Sequence, residues 1–416
     1  MNLIEDLKWR GLLKDISNEE KFLKAQKEHR AAYCGFDPTA TSLHVGHLIP
    51  MTMLERFRQA GFAPIALLGG GTALIGDPSF KAQERVLLTP ETVAHNAEII
   101  TKQMKKIIPD VEFMNNYQWL GNLSMVDYLR EVGKDFNIAY LLAKEIIATR
   151  IQNGLSVTEF LYTTLQADDF YQLYVHQNCF VQIGGSDQWG NITSGLDYIG
   201  AKVGKKESQA CGLTIPLLTK KDGKKFGKTE SGAIWLDSQK TSEYEFYQFW
   251  LNQTDEDAFQ FLKFFTFLDK KTVDKLEQES QQNPKAKILQ KTLAKEMTLF
   301  VHGQSGLEKA EKLTNAFFQG TIDQLSPELM HLAFKSLPIS SVTSDGNVWD
   351  LLLETHAAQS KREANEFLSA KAIRINGETV IDGNQKIQSF PLINDEYLLV
   401  KRGKKRYFLA KIKNLN

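Results

Sequence analysis

Cysteine is scarce: the chain has three, Cys34, Cys179 and Cys211, far apart and without a CxxC pair. This excludes a disulfide framework and a structural zinc site and fits a reducing compartment. Excess charge is also missing, because 50 Lys and Arg balance 50 Asp and Glu. No global positive field gathers phosphates, so any nucleic acid has to be held by local basic patches. Long apolar runs are absent too. Glu5, Asp6, Lys8 and Arg10 interrupt the first stretch, which leaves no signal-peptide core, and no segment has the apolar length of a membrane helix. The expectation is a cytoplasmic protein with no membrane partner. Neither an internal repeat nor a low-complexity tract is visible.

What is present is 416 residues of ordinary globular composition, 42% hydrophobic and 24% charged, a length that calls for two or three domains. The first half alternates short apolar runs with helical periodicity, the pattern of a parallel α/β sheet. Strands are expected over residues 31–36, 63–68, 111–114, 180–183 and 213–217, and helices over 46–60, from Thr89 and Pro90, and from Ser124 to Gly133. Residues 137–154 read as an inserted helix, and Ser156 with Glu159 has capping-box spacing before a further helix to about Val175. From Thr241 to about Leu332 helical periodicity dominates. Residues 336–347 are small, polar and turn-rich, as in a linker, and a compact tail follows.

Four segments could carry chemistry. Residues 33–39 form a strand with a glycine turn, and His44, Val45, Gly46 and His47 open the next helix, a place where open α/β sheets bind phosphates. A bare HxxH is more often helix surface, and no third ligand lies at zinc spacing. Residues 219–229 form a lysine-rich, glycine-hinged loop in which Lys225 and Lys228 are mobile charges suited to a polyphosphate; alone, such a loop is more often a solvated hairpin. Tyr162, Gln166 and Asp169 share one stripe of a largely apolar helix, facing either solvent or a polar ligand. Residues 181–191 again run from a strand through Gly184 and Gly185 to Ser186, Asp187 and Gln188, groups able to bind a ribose or an amino acid. Gly76, Asp77 and Pro78 repeat the glycine turn after the second strand.

In combination these segments resemble the tyrosyl-tRNA synthetases, a class I aminoacyl-tRNA synthetase family, along the whole chain. His44-Val45-Gly46-His47 is similar to the HIGH signature, and Lys225-Phe226-Gly227-Lys228-Thr229 to the KMSKS signature. The resemblance implies a Rossmann-like α/β catalytic domain over 1–229 with a connective insertion at about 117–152. An all-α anticodon-recognition domain over 230–335, the linker, and a small α+β RNA-binding domain of ribosomal-protein type over 348–416 would follow. It implies Tyr33 and Asp169 on the substrate phenol; Asp77, Tyr162 and Gln166 on its ammonium; and Gln188 near its carboxylate. ATP would meet Gly35, Asp37, Gly46, Gly185 and Asp187 at the nucleoside, and Thr39, His44, His47, Lys225 and Lys228 at the phosphates, with Mg2+ accompanying it. No protein-bound metal is implied. The tail, through Lys361, Arg362 and Arg374, would hold the tRNA for tyrosine, while the run 401–406 taken alone reads as solvated basic surface. Lys81 and Arg85 could touch the acceptor stem. The insertion would form a homodimer interface. Rival readings are a tryptophanyl-tRNA synthetase, a small-molecule nucleotidyltransferase and a non-catalytic RNA-binding paralogue; the last would be expected to lose the two histidines or the two lysines.

Overall fold

The computed structural model describes residues 2–77, 79, 87–144, 147–148, 151, 154–218, 226–229, 232–319, 321–322, 325–335, 337, 339–393, 395–403 and 406–413. Lys81, Arg85 and Lys225 lie outside the described residues, and of Lys228 only the backbone is described. The chain divides into two compact units, Met1–Thr241 with Phe249–Val301, and Ser242–Gln248 with His302–Asn416.

The first unit is built on a six-stranded sheet of β1 (Asp15–Ile16), β2 (Ala31–Phe36), β3 (Ala63–Leu68), β4 (Glu112–Asn115), β5 (Cys179–Gly185) and β6 (Cys211–Ile215), in the order β1-β6-β5-β2-β3-β4. All neighbours pair in parallel except β1, which runs antiparallel to β6. β2 and β3 coincide with the apolar runs that forecast them. β1, at two residues, is too short to register as a pattern. The chain moves outward from β2 through β3 to β4, then returns to place β5 on the other side of β2. Order therefore reverses between β2 and β5, and the crevice at their carboxyl ends is where such sheets take a ligand.

Helices cover the sheet because parallel strands must be buried on both faces. Helix Leu48–Gln59 packs on β2 and β3. Phe170 and Leu173 of helix Val157–His176, with Ile199 of helix Trp189–Val203, join Tyr33, Ile65 and Leu67 in one core. Ser156 caps its helix by accepting the backbone N–H of Glu159 at 3.2 Å, and Thr89 caps helix Pro90–Ile107. The long helix expected over 137–154 is shorter: Asn137 caps a helix Ile138–Leu142 that ends at Ala143, and much of the remainder lies outside the described residues. Helix 46–60 starts later than expected, at Leu48, after a 3-10 turn Val45–His47. A two-stranded hairpin, β7 (Lys228–Thr229) and β8 (Gly232–Ala233), follows β6.

Helical periodicity beyond Thr241 becomes helices Glu243–Leu251, Asp255–Phe265, Lys270–Gln282 and Ile288–Gln319, the last interrupted at Gly303 with φ 68°. These helices do not form a unit of their own, because Phe249–Val301 belongs with the first sheet. In the second unit a sheet of β9 (Ile339–Thr343), β10 (Ile373–Ile375), β11 (Glu378–Thr379), β12 (Tyr397–Arg402) and β13 (Arg406–Lys413) has the order β11-β10-β12-β13-β9. Helices Val348–Glu354 and Lys361–Ser369 supply Leu351, Leu352, Ala364 and Leu368 to its core. β9 corrects the linker expectation for residues 336–347. Its inward Val342 is buried while Ser340 and Ser341 keep the strand polar, and it pairs in parallel with β13 as an edge strand.

Candidate active site

A cleft of about 430 Å³ opens at the reversal between β2 and β5. It is lined by Tyr33, Gly35, Asp37, Thr39, Gly46, His47, Asp77, Tyr162, Gln166, Asp169, Gly185, Asp187 and Gln188, with Phe226 from the lysine-rich segment, so each of the four segments picked out above contributes. Stretches spread from residue 33 to residue 226 thus converge at one sheet edge.

At the floor stand two buried groups. Tyr33 is 1% exposed, and its hydroxyl has no hydrogen-bond partner among the described residues. Burial, with the Asp169 charge adding to it, holds this phenol well above its ordinary value, so it stays a neutral donor. Asp169 is 2% exposed. Its carboxylate accepts from Asn116 Nδ2 at 2.9 Å and from Trp119 Nε1 at 2.7 Å. Burial pushes its carboxyl up to about 7, against the opposing pull of those two donors. Asn116 in turn donates to Thr72 Oγ1 at 3.1 Å, and Thr72 donates to Asp37 Oδ1 at 3.2 Å, so one chain of hydrogen bonds joins Asp169 to Asp37.

A second polar knot lies on the same wall. Gln188 Nε2 donates to Asp77 Oδ2 at 2.9 Å, Gln166 Nε2 donates to Gln188 Oε1 at 3.3 Å, and Asn191 Nδ2 donates to Gln166 Oε1 at 3.0 Å. The amides are oriented by one another, and the carboxylate of Asp77 gives the knot an anionic end. Asp187 is held above the usual carboxylate range by burial, with Asp77 adding to the effect.

The two histidines share one turn, with ring centroids 4.1 Å apart. His44 Nδ1 accepts the Gly46 N–H at 3.0 Å, and His47 Nδ1 accepts the His44 N–H at 3.2 Å. Each neutral ring therefore carries its proton on Nε2 and can donate outward. Burial, with His44 contributing, pulls His47 down to about 3, so it acts as a neutral donor rather than as a cation. Gly46 is required by this turn, since a Cβ there would lie 2.7 Å from His44 Cε1.

Gly227, at the described end of the lysine-rich segment, lies against the same turn. Val45 N–H donates to Ile234 O at 2.9 Å, and Ile234 N–H donates to Gly227 O at 3.2 Å. Gly227 has φ 84°, and a Cβ on it would lie 2.7 Å from Val45 Cγ2. The backbone one residue before Lys228 therefore touches the histidine turn.

The chain has counterparts among known proteins. Residues 24–319 match the family described as tRNA synthetases class I (W and Y), and residues 329–410 match the tyrosine-tRNA ligase SYY-like C-terminal domain. The tyrosine-tRNA ligase of Mycoplasma mycoides subsp. mycoides is 59% identical over 412 residues, 99% of each chain. The chain belongs to the tyrosine-tRNA ligase family. Tyrosine-tRNA ligase 1 of Enterococcus faecalis is 47% identical over 417 residues, 99% of this chain and 100% of that one. A solved C-terminally truncated Aspergillus nidulans mitochondrial tyrosyl-tRNA synthetase superposes with TM-score 0.69 at 28% identity, covering 76% of this chain and 94% of that one.

In this tyrosine-tRNA ligase family member two of the residues that shape the floor escaped sequence reasoning. Asn116 and Trp119 follow the carboxyl end of β4, and that position, an Asn beside a Trp at the ligand edge of the sheet, was the available signal. Cys34 also lines the cleft; its thiol is free and burial pushes it up to about 12, so it is not nucleophilic. In the C-terminal unit Lys361 and Arg362 stand in the first turn of helix Lys361–Ser369, and Arg374 is exposed on β10. The Arg362 side chain is 90% exposed. Arg402 is tied inward, donating to Ala357 O at 2.6 Å and stacking on Phe367, while Lys404 and Lys405 lie outside the described residues.

Proposed function

We propose that the chain condenses L-tyrosine with ATP to tyrosyl-adenylate and pyrophosphate, then passes the tyrosyl group to the 3′-terminal adenosine of the tRNA for tyrosine. The floor of the cleft carries this reading. A phenol hydroxyl would sit between Tyr33, whose hydroxyl has no partner among the described residues, and Asp169, whose carboxylate is pinned by Asn116 and Trp119. A phenylalanine ring would leave both groups desolvated and unpaired, at roughly 1–3 kcal/mol for each. An indole offers no hydroxyl here, and the C-terminal domain match is to tyrosine-tRNA ligases, so the tryptophanyl reading is disfavoured.

Asp77, Tyr162 and Gln166 would take the ammonium and Gln188 the carboxylate region. Gly35, Asp37, Gly46, Gly185 and Asp187 would meet the nucleoside. Thr39 and the Nε2–H donors of His44 and His47 would meet the phosphates, with Lys225 and Lys228 closing over them. The tyrosine carboxylate attacks the α-phosphorus in line and pyrophosphate leaves. The nucleophile is already ionised, so no general base is needed, and catalysis is positioning plus stabilisation of phosphate charge. Mg2+ would accompany the ATP and supply neutralisation of its phosphate charge.

Lys361, Arg362 and Arg374 would contact the tRNA backbone. The insertion would pair two copies of the chain: Met125, Val126, Leu129 and Ile138 are 56–70% exposed, an apolar surface that suits a self-complementary interface. No helix among the described residues is long and apolar enough to cross a membrane. Lys228→Ala tests the phosphate assignment. Single-turnover kinetics should show adenylate formation slowed by on the order of a hundredfold with tyrosine affinity nearly unchanged. Equal losses in both would refute it.

A further inference from the structure

The histidine turn and the lysine loop touch at Val45 and Gly227, but that contact is small, and something larger must hold the two segments in register. Helix Leu48–Gln59 starts behind the histidines and carries Arg56 in its last turn. The Arg56 side chain is 4% exposed, and its guanidinium donates to the carbonyls of Thr266 and Phe264. Arg10, 3% exposed, donates to the carbonyls of Lys263 at 2.9 Å, Thr266 at 3.1 Å and Leu268 at 2.7 Å. These acceptors cluster at the end of helix Asp255–Phe265, where carbonyls lack intrahelical donors and the dipole is negative. One carboxylate, Asp6, serves both arginines, at 2.8 Å from Arg10 and 3.9 Å from Arg56.

The clamped helix is also the one that packs against Phe226, at the described end of the lysine-rich segment. Phe226, next to Lys225, sits among Phe261 at 5.0 Å and Phe265 at 5.3 Å between ring centroids, with Phe249 and Trp250 completing the box. The path therefore closes on itself. It runs from the histidines along helix Leu48–Gln59 to Arg56, across to helix Asp255–Phe265, through Phe261 and Phe265 to Phe226, and from Gly227 back to Val45. Two buried guanidiniums sharing one carboxylate, with Arg56 Nε lacking a hydrogen-bond partner among the described residues, are a poor way to gain stability alone. Fixing a distance between two elements is what such a clamp does well.

We propose that Arg10 and Arg56 are positioning residues for tyrosine activation, which set the separation between the histidine turn and the lysine loop without touching substrate. The inference rests on the reading given under Proposed function. Displacement of catalytic groups by about 1 Å is enough to slow a reaction by on the order of a hundredfold.

The test uses the full-length protein carrying Arg56→Lys, which keeps the charge and loses the fork. Tyrosyl-adenylate formation is followed in single turnover, with active sites titrated by burst amplitude. The expected result is a rate constant per titrated site lowered at least about tenfold, with tyrosine affinity within about twofold of the original. A merely structural role would lower the amplitude and leave the rate constant of the surviving sites unchanged, which overturns the proposal. Phe265→Leu, which loosens the aromatic box and leaves the buried charges alone, should slow the same step. The double variant should be less than multiplicatively slower than the two singles, since both act along one path; full multiplicativity would count against the clamp. If the unaltered protein forms no tyrosyl-adenylate at all, the functional reading fails instead.

Discussion

Trp119→Phe removes one hydrogen bond and little volume, and its consequence can be worked through. Trp119 Nε1 donates to Asp169 Oδ1 at 2.7 Å, in a site where burial has already pushed the carboxyl up to about 7. A hydrogen bond to a charged group contributes roughly 1.5–3 kcal/mol. Since 1.36 kcal/mol corresponds to one pH unit, losing it should move the carboxyl's midpoint upward by about one to two pH units. In the carboxylate form Asp169 can accept the substrate phenol, so tyrosine binds the ionised protein better and affinity rises through the midpoint. At pH 7 the ionised fraction falls from about a half to about a tenth or less, and tyrosine affinity should fall at least about fivefold, returning as the pH passes the new midpoint at about 8 to 9. The assay is equilibrium binding of tyrosine to both proteins across a pH range from about 6 to about 9.5, which spans both midpoints. An unchanged midpoint, or a loss that does not recover at high pH, would refute the reasoning; the latter would indicate lost packing. Linkage has the opposite sign for the empty protein. The folded carboxyl binds its proton more tightly than the unfolded one, so this group's contribution to stability falls as pH rises from about 4 through about 7.

Two further outcomes follow. Replacing Lys361, Arg362 and Arg374 together by Glu should raise the KM for tRNA at least about tenfold and flatten its salt sensitivity, while ATP-pyrophosphate exchange with tyrosine is unchanged; equal loss of exchange would show a structural role. Ile138→Asp, placed on the exposed apolar surface of the insertion, should shift sedimentation from dimer toward monomer at micromolar concentration, and an unaltered profile would remove that surface from the interface.

Part of the cleft's lining was legible from compact patterns: a glycine turn after a strand, the histidine turn that brings in His47, a stripe of polar groups on one helix. β2 and β3 were legible for a related reason, as uninterrupted apolar runs closed by glycine or by a helix start. Other features depend on contacts that sequence order conceals. Asn116 and Trp119 matter only because the fold carries β4 to the ligand edge, near a helix fifty positions later. The protonation of His47 follows from burial and from a bond to a neighbour's N–H, and nothing in an HxxH pattern specifies either. β9 looked like a linker because a short edge strand with one buried residue has the composition of a loop. The helices after Thr241 were visible as periodicity, but the unit each one joins is decided by packing.

β9 has a consequence for how the polypeptide is made. Its partner is β13, which ends at Lys413, and Leu399, Tyr407 and Leu409 also cover Leu313 and Ala316. During synthesis every strand of the six-stranded sheet, and the helices up to Val301, has left the ribosome before this last partner exists. A nascent chain can thus complete its catalytic architecture while the second sheet still lacks an inner strand, and a product that stops a dozen residues early would keep the cleft and display a bare apolar face to the quality-control machinery.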